Sequence, residues 1–491
     1  MNPRDEKFPE ESLDPTDWEE TRALSHRMLD DMLDYLRTLR ERPVWQPLPD
    51  AVREALSRPL PLEPEGATQA YEEFARWILP HPMGNIHPRF WAWVIGSGTV
   101  SGMLAEMLAA GLNPNLGGAE HAANHVEAQV LAWCKAMLGY PAQAGGILVS
   151  GASMANLVGL AVARGERAGF DLRRLGLQQQ PRSLTLYASV EAHSSIRKAV
   201  ELLGLGGDSL RRIPVDEEFR IDPAALERAI AKDRAAGHQP VCVIGTAGTT
   251  NTGAIDDLSR LAAISAREGL WFHVDGAFGA LAALSPDLRP LLEGMERADS
   301  LAFDMHKWMY LPYEVGCVLV RDAEAQRRTF AVEADYLTRH RRGLAAGTTW
   351  YSDYGPELSR GFRALKVWFA IKEHGIRKLG RLIRQNVEQA RHLARLVDAS
   401  PELERLAPVP LNVVCFRFRQ PGQDARTVDD INREILLRMQ ESGAAAPSST
   451  TLNNRYALRV AITNHRTRRE DLEFLVEQTL RLGRELSGGN G

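Results

Sequence analysis

The stretch GGILVSGASMANLVGLAVAR, residues 145–164, decides the fold. An apolar run, GGILVS, meets a turn of small residues and then a helical pattern, ASMANLVGLAVAR. The same order recurs downstream. LTLYAS (184–189) precedes HSSIRKAVELL, and VCVIGT (241–246) precedes a Gly/Thr turn and DDLSRLAAISAREG. LWFHVD (270–275), SLAFD (300–304) and VGCVLVR (315–321) are further strand patterns. Strands alternating with helices from about Gly96 to Ile371 predict an α/β sheet, mostly parallel, with helices on both faces. In such sheets ligands bind beyond the carboxyl ends of the strands.

On the N-terminal side, Asp17 to Arg42 carries Leu24, Met28, Leu33 and Leu36 at helical spacing, and Pro43 ends it. A Pro-rich connector and a second helical piece, Tyr71–Leu79, follow. This is a helical extension that cannot bury its own faces. After about His374 come a long Arg-rich helix, the strands LNVVCFRF and YALRVAI, and a closing helix, DLEFLVEQTLRLGREL. The expected domains are therefore 1–95, a helical extension; 96–373, a large α/β domain; and 374–491, a small α+β domain.

The bulk properties narrow the function. The 491 residues carry a net charge of −4, which offers no field for nucleic acid or an anionic membrane. No apolar run is long enough to span a bilayer, and the charged N-terminus has no signal-peptide core. Cys134, Cys242, Cys317 and Cys415 lie far apart with no CxxC pair, so neither a metal site nor a disulfide framework is expected. Buried free thiols point to a reducing, cytoplasmic setting.

The chemistry centres on SLAFDMHKWMY, residues 300–310. Lys135, Lys198, Lys366, Lys372 and Lys378 fall on helical patterns, Lys7 is in the tail, and Lys232 is near a helix end. Only Lys307 stands at a strand exit beside aromatic residues. A desolvated lysine there is expected to have a lowered pKa, which an imine-forming amine needs. The plain alternative is a surface lysine that follows His306. Asp275 ends LWFHVD and is suited to pair with a protonated pyridine nitrogen, although a lone aspartate after a strand is more often a cap. Gly276 and Ala277 would let a flat ring approach. The turn VSGASMANL offers backbone N–H groups and the Ser153 hydroxyl to a phosphate. IGTAGTTNTGAID is a second Gly/Thr turn, and His193 in EAHSSI is placed to stack on a ring or to serve only structure. Five elements at successive strand exits suit one ligand.

With these residues in hand, the sequence resembles the pyridoxal-phosphate-dependent group II amino-acid decarboxylases of the aromatic L-amino-acid decarboxylase type. The resemblance runs over nearly the whole chain and rests on HPRFWAW, SGASMANL, YASVEAHSS, GTTNTGAID, HVDGAFG, DMHKW, ADYLTRH and FRALKVW. It implies the fold type I (aspartate aminotransferase-like) architecture with a central seven-stranded sheet. It implies pyridoxal 5'-phosphate as cofactor, Lys307 as Schiff-base lysine and Asp275 as partner of the pyridine nitrogen. His193 would stack on the ring, with Ala277 on its other face. Ala152, Ser153 and His306 match phosphate-contacting positions, and Thr250 matches the threonine near the 3'-oxygen. Tyr336, in the stretch 334–354 read as a mobile surface loop, matches the tyrosine that protonates the carbanion. The resemblance further implies a homodimer, clasped by the extension, with active sites at the interface.

The departures fall in the substrate pocket, expected to involve Asn85, Trp93, Val94, Ile95 and Asn115. Asn85 and Asn115 align with a Trp and a Phe, and Val94, Ile95 and Gly96 replace Phe-Pro-Thr. Asp304 stands where animal enzymes have a phosphate-contacting Asn. Trp91 and Trp93 favour an aromatic substrate. The expected reaction is conversion of an L-amino acid, such as tyrosine, tryptophan or a hydroxylated relative, to amine and carbon dioxide. The alternatives are an oxidative, aldehyde-forming reaction on the same scaffold, a non-aromatic substrate, or a catalytically dead scaffold. Lys307, Asp275, His193 and Tyr336 together favour simple decarboxylation.

Overall fold

Seven strands form the larger sheet: β1 (Gly145–Val149), β2 (Leu184–Ser189), β3 (Leu210–Ile213), β4 (Gln239–Thr246), β5 (Trp271–Asp275), β6 (Ser300–Asp304) and β7 (Gly316–Val320). Their order is β1-β7-β6-β5-β4-β2-β3. Only β7 runs against its neighbours, β1 and β6. The computed structural model describes residues 11–179, 182–332, 339–347 and 349–488. Strands β2, β5, β6 and β7 are buried at every residue, as expected when helices cover both faces of a sheet. That two-sided burial is why they read in sequence as unbroken apolar runs. β3, with sequence LRRI, gave no such signal. It is an edge strand, and its Arg211 is held by Asp233 at 2.8 Å.

A second, antiparallel sheet contains β8 (Leu403–Arg405), β9 (Val413–Phe418), β10 (Ser448–Leu452) and β11 (Arg455–Ala461), in the order β10-β11-β9-β8. Helices Ala364–Asp398, Ala425–Glu441 and Arg469–Gly488 pack on it around Phe416, Phe418, Leu458 and Leu475. The helix expected to begin near His374 starts at Ala364 and bends at Gly375, whose φ of 67° breaks the helical path. It thus runs across the expected 373/374 boundary.

The N-terminal residues to Met83, apart from Pro43–Trp45, form a separate unit. Helix Trp18–Arg37 is capped by Asp17, whose carboxylate accepts the N–H groups of Glu19 and Glu20. Tyr71 donates to Asp31 at 2.6 Å, tying this helix to Ala67–Glu73. Residues 84–95, expected within the extension, belong to the larger unit instead. There Trp91 donates its N–H to the Ala446 carbonyl, and its indole fills the core of the smaller sheet.

Arg360 and Glu127 form a wholly buried ion pair 2.5 Å apart. The guanidinium also donates to the carbonyls of Leu116 and Leu148, and its Nε alone has no partner among the described residues. The part of the expected surface loop nearest this pair is packed: Trp350 and Tyr351 are buried, and the Tyr351 ring lies 5.2 Å from the Arg360 guanidinium.

Candidate active site

The carboxyl ends of β1, β2, β4, β5 and β6 lie on one edge of the sheet, and the sequence-predicted residues collect there. A cavity of about 290 Å³ is lined by Trp93, Val94, His193, Thr246, Gly248, Thr250, Asp275, Ala277, Phe278 and Lys307. Thr246 and Asp275 are register partners on β4 and β5, so both point to the same face. Lys307 sits on a single helical turn, Met305–Trp308, that follows β6.

Asp275 is buried, and burial raises its pKa against the opposing charges of His193 and Lys307. It accepts the Ala277 N–H at 3.1 Å and the Asn156 amide at 3.1 Å. Behind it runs a buried chain that sequence reasoning missed. His273 Nε2 meets Asn156 Oδ1 at 2.9 Å, His273 Nδ1 meets the Ser300 hydroxyl at 2.7 Å, and Trp271 donates to that hydroxyl at 2.8 Å. Burial pushes His273 down to about 3, so the ring is neutral. Because Asn156 Oδ1 can only accept, His273 donates from Nε2, and its neutral ring takes the Ser300 hydrogen at Nδ1. The amide nitrogen of Asn156 is thereby turned toward Asp275. Gly159 makes room, since a Cβ there would lie 2.8 Å from His273. The only sequence signal for Asn156 was its presence in SGASMANL.

His193 caps helix Ser194–Leu202, accepting the Ser195 N–H at Nδ1. Burial lowers its pKa, which favours a flat, neutral ring. Lys307 departs from expectation. Burial lowers its pKa, but the charge and hydrogen bond of Asp304, 2.9 Å away, outweigh that effect, and the net shift is upward. The amine is an ammonium in this state, not the free base expected from desolvation alone.

Ala152, Ser153 and His306 do not line the cavity. They gather at the start of helix Ala152–Arg167, where a Cβ on Gly151 would lie 3.3 Å from His306 and 3.5 Å from Asp304. Trp93 lines the cavity half-exposed, with a φ of 54° that is rare for a bulky side chain. Gly96 follows close by. A Cβ there would stand 1.5 Å from the His306 carbonyl oxygen, so the glycine is what lets this segment lie on the Lys307 turn.

The other expected pocket residues are engaged elsewhere. Ile95 packs with Val44, Phe90, Ala92 and Ala446. Asn85 donates to the Gly96 carbonyl at 3.0 Å, and Asn115 accepts the N–H groups of Gly117 and Arg360, both at 3.0 Å. Neither asparagine lines the cavity. Tyr336 lies outside the described residues.

The cavity fits pyridoxal phosphate. An amine and a buried acid share it, Ala277 leaves room for a flat ring, and the buried Thr246 Oγ1 that lines it has no hydrogen-bond partner among the described residues. Comparison with known proteins agrees. Residues 49–419 match the pyridoxal-dependent decarboxylase conserved domain. An aromatic-L-amino-acid decarboxylase of Bacillus atrophaeus is 33% identical over 96% of both chains. A phenylacetaldehyde synthase of Arabidopsis thaliana is 30% identical, covering 92% of this chain and 93% of its own. The Oryza sativa TDC solved with PLP and tryptamine superposes with a TM-score of 0.89 at 27% identity, over 97% of this chain and 100% of its own. Matched by fold and sequence along nearly its whole length, the chain belongs to the pyridoxal-dependent decarboxylase family, enzymes that release carbon dioxide from amino acids.

Proposed function

We propose that this decarboxylase acts on an aromatic L-amino acid, with Lys307 holding the cofactor and Asp275 serving its ring nitrogen. One observation carries the reading: an amine and a buried acid face one cavity with an imidazole, a small alanine and an indole around it. Pyridoxal phosphate bound there supplies an electron-poor ring that takes up the electron pair released when carbon dioxide leaves. Asp275, anchored by Asn156 and Ala277, holds a proton at the ring nitrogen. Neutral His193 offers its flat face from the end of β2, and Ala277 leaves the opposite side open. Thr250 serves the 3'-oxygen, and Ala152, Ser153 and His306 receive the phosphate at the helix start. Trp93, Val94 and Phe278 make the remaining wall apolar, which excludes water and suits an aromatic side chain. Tyr336 donates the proton that replaces the lost carboxylate.

The substrate assignment draws on the Bacillus relative, named for aromatic L-amino acids, and on the tryptamine bound to the rice protein. It is tested by screening the standard L-amino acids for carbon dioxide release, with peroxide and ammonia followed in parallel. Tyrosine, tryptophan or a hydroxylated relative is expected to react without peroxide. Turnover of only acidic or small aliphatic amino acids overturns the substrate class. Peroxide and ammonia in step with carbon dioxide assign the aldehyde-forming reaction instead.

A homodimer is part of the proposal. The N-terminal unit carries an apolar surface formed by Met28, Met32, Ala67, Ala70, Tyr71 and Phe74, which suits contact with a second copy. Light scattering should give twice the chain mass. Among the described residues no helix is long and apolar enough to cross a membrane, and all four cysteines are buried and unpaired. The buried, unpaired thiols support a cytoplasmic location.

A further inference from the structure

Asp304 ends β6, one helical turn before Lys307. Its side chain is buried, with Oδ2 2.9 Å from Lys307 Nζ and 3.5 Å from His306 Nε2. His306 Nδ1 accepts the Val315 N–H, which leaves the Nε2 hydrogen facing the carboxylate. Oδ1 has no partner among the described residues, and Asp304 makes no side-chain cap for the turn that follows. A buried carboxylate is costly unless paired, and the charge paired with this one is the Lys307 ammonium.

Among the described residues, the groups that face the amine are Asp304 from β6, Asp275 from β5, His193 from the start of its helix, and His306 and Tyr313 from the segment around Lys307 itself. Of these, Asp304 is the one in hydrogen-bond contact with it.

We propose that Asp304 is a positioning residue that pins Lys307 as an ammonium, and so sets the pH range over which the cofactor-free chain captures an aldehyde. The proposal rests on Lys307 being the cofactor lysine. In capture, Nζ first gives up a proton and its freed electron pair attacks the aldehyde carbon. The carbonyl oxygen leaves as water with two protons, and a protonated carbon–nitrogen double bond remains. Ammonium plus aldehyde thus becomes protonated imine plus water, with no change of charge. A positive nitrogen lies beside Asp304 at the beginning and at the end. The carboxylate therefore opposes only the free amine from which attack begins. It acts on the rate and its pH dependence more than on the final occupancy.

The test uses the full chain stripped of cofactor with hydroxylamine, its fold checked by circular dichroism. Capture of pyridoxal phosphate and of pyridoxal is followed by visible absorbance from pH 6 to 9.5, for the parent and for Asp304→Asn. An opposite charge at this range shifts a pKa by about one to three units. The Asn variant should therefore capture both aldehydes at least roughly tenfold faster at each pH in this range, which lies below the titration of an amine held above its ordinary value. An unchanged rate overturns the proposal. So does an acceleration seen with pyridoxal phosphate and not with pyridoxal, because Asp304 would then act on the phosphate. Should the Asn variant fail to fold, Asp304→Ser answers the same question. Borohydride reduction and peptide mapping keep the two readings apart. Label away from Lys307 in the parent sinks the assignment of the cofactor lysine, whereas label on Lys307 with an unchanged capture rate sinks only the role of Asp304.

Discussion

Replacing Asn156 with Ala should slow decarboxylation through Asp275, although Asn156 does not line the cavity. The amide donates to Asp275 Oδ2 at 3.1 Å and meets His273 Nε2 at 2.9 Å. Alanine leaves Asp275 with the Ala277 N–H alone and strands the His273 N–H in a dry interior. A hydrogen bond to a charged group is worth roughly 1.5–3 kcal/mol net. If that loss falls on the step in which the ring nitrogen must stay protonated, kcat drops by about 10- to 150-fold. Two unpaired buried groups also cost roughly 2–6 kcal/mol of stability, so a fall in activity alone does not decide the matter. The deciding assay is a double-mutant cycle, with carbon dioxide release measured for the parent, Asn156→Ala, Asp275→Ala and the pair. If Asn156 works through Asp275, its removal costs much in the parent and little once Asp275 is gone. Equal penalties in both backgrounds, beside a matching loss of thermal stability, would refute the reasoning and reduce Asn156 to a packing residue.

Asp275→Ala should lower kcat by about 10²–10³-fold with little change in substrate affinity, because an electrostatic contact of this kind acts mainly in the transition state; steady-state kinetics with cofactor in excess check it. Tyr336→Phe should keep the visible chromophore, slow amine formation and divert part of the turnover to aldehyde, ammonia and peroxide, and amine at the parent rate without aldehyde would remove Tyr336 from the role. Asp256 tests pH linkage. Burial raises its carboxyl to about 6, against an unfolded value near 3.9. A raised folded pKa gives a contribution fully present below about pH 3.9 and lost as pH rises through about 6. Asp256→Asn should therefore flatten the decline in urea midpoint across that window, and parallel curves for the two proteins would show that Asp256 does not titrate there.

What was legible in the sequence is what a strand exit displays locally. Asp275 ends a buried strand, Lys307, His193 and Thr250 each follow one, and burial on both faces makes those strands apolar runs that announce where they stop. Strands held by polar groups escape the same reading. β3 is an edge strand carrying Arg211 and Arg212, and β10 is SSTTL, with only its first and last residues buried.

Polar residues were harder because their roles depend on partners distant in the chain. Asn85 and Asn115 suggested a polar pocket, yet their amides are used on backbone groups that no local pattern displays. Asn156 acts on an aspartate 119 residues away. Trp91 and Trp93, two residues apart, point to opposite fates. One is buried in the smaller sheet's core and the other is turned to the cavity by a left-handed backbone. Lys307 shows the same limit in its charge. Burial by itself predicts a lowered pKa, and the sign reverses chiefly because Asp304, three residues earlier, is folded back within 2.9 Å, with Asp275 and Tyr313 acting in the same direction. Sequence places the two residues one turn apart but does not say that the turn closes on the amine. An asparagine at the same position could donate or accept but carries no charge, so it would remove the largest opposition to the burial effect. The substitution that looked like a lost phosphate contact is thus the one that fixes the protonation of the lysine beside it.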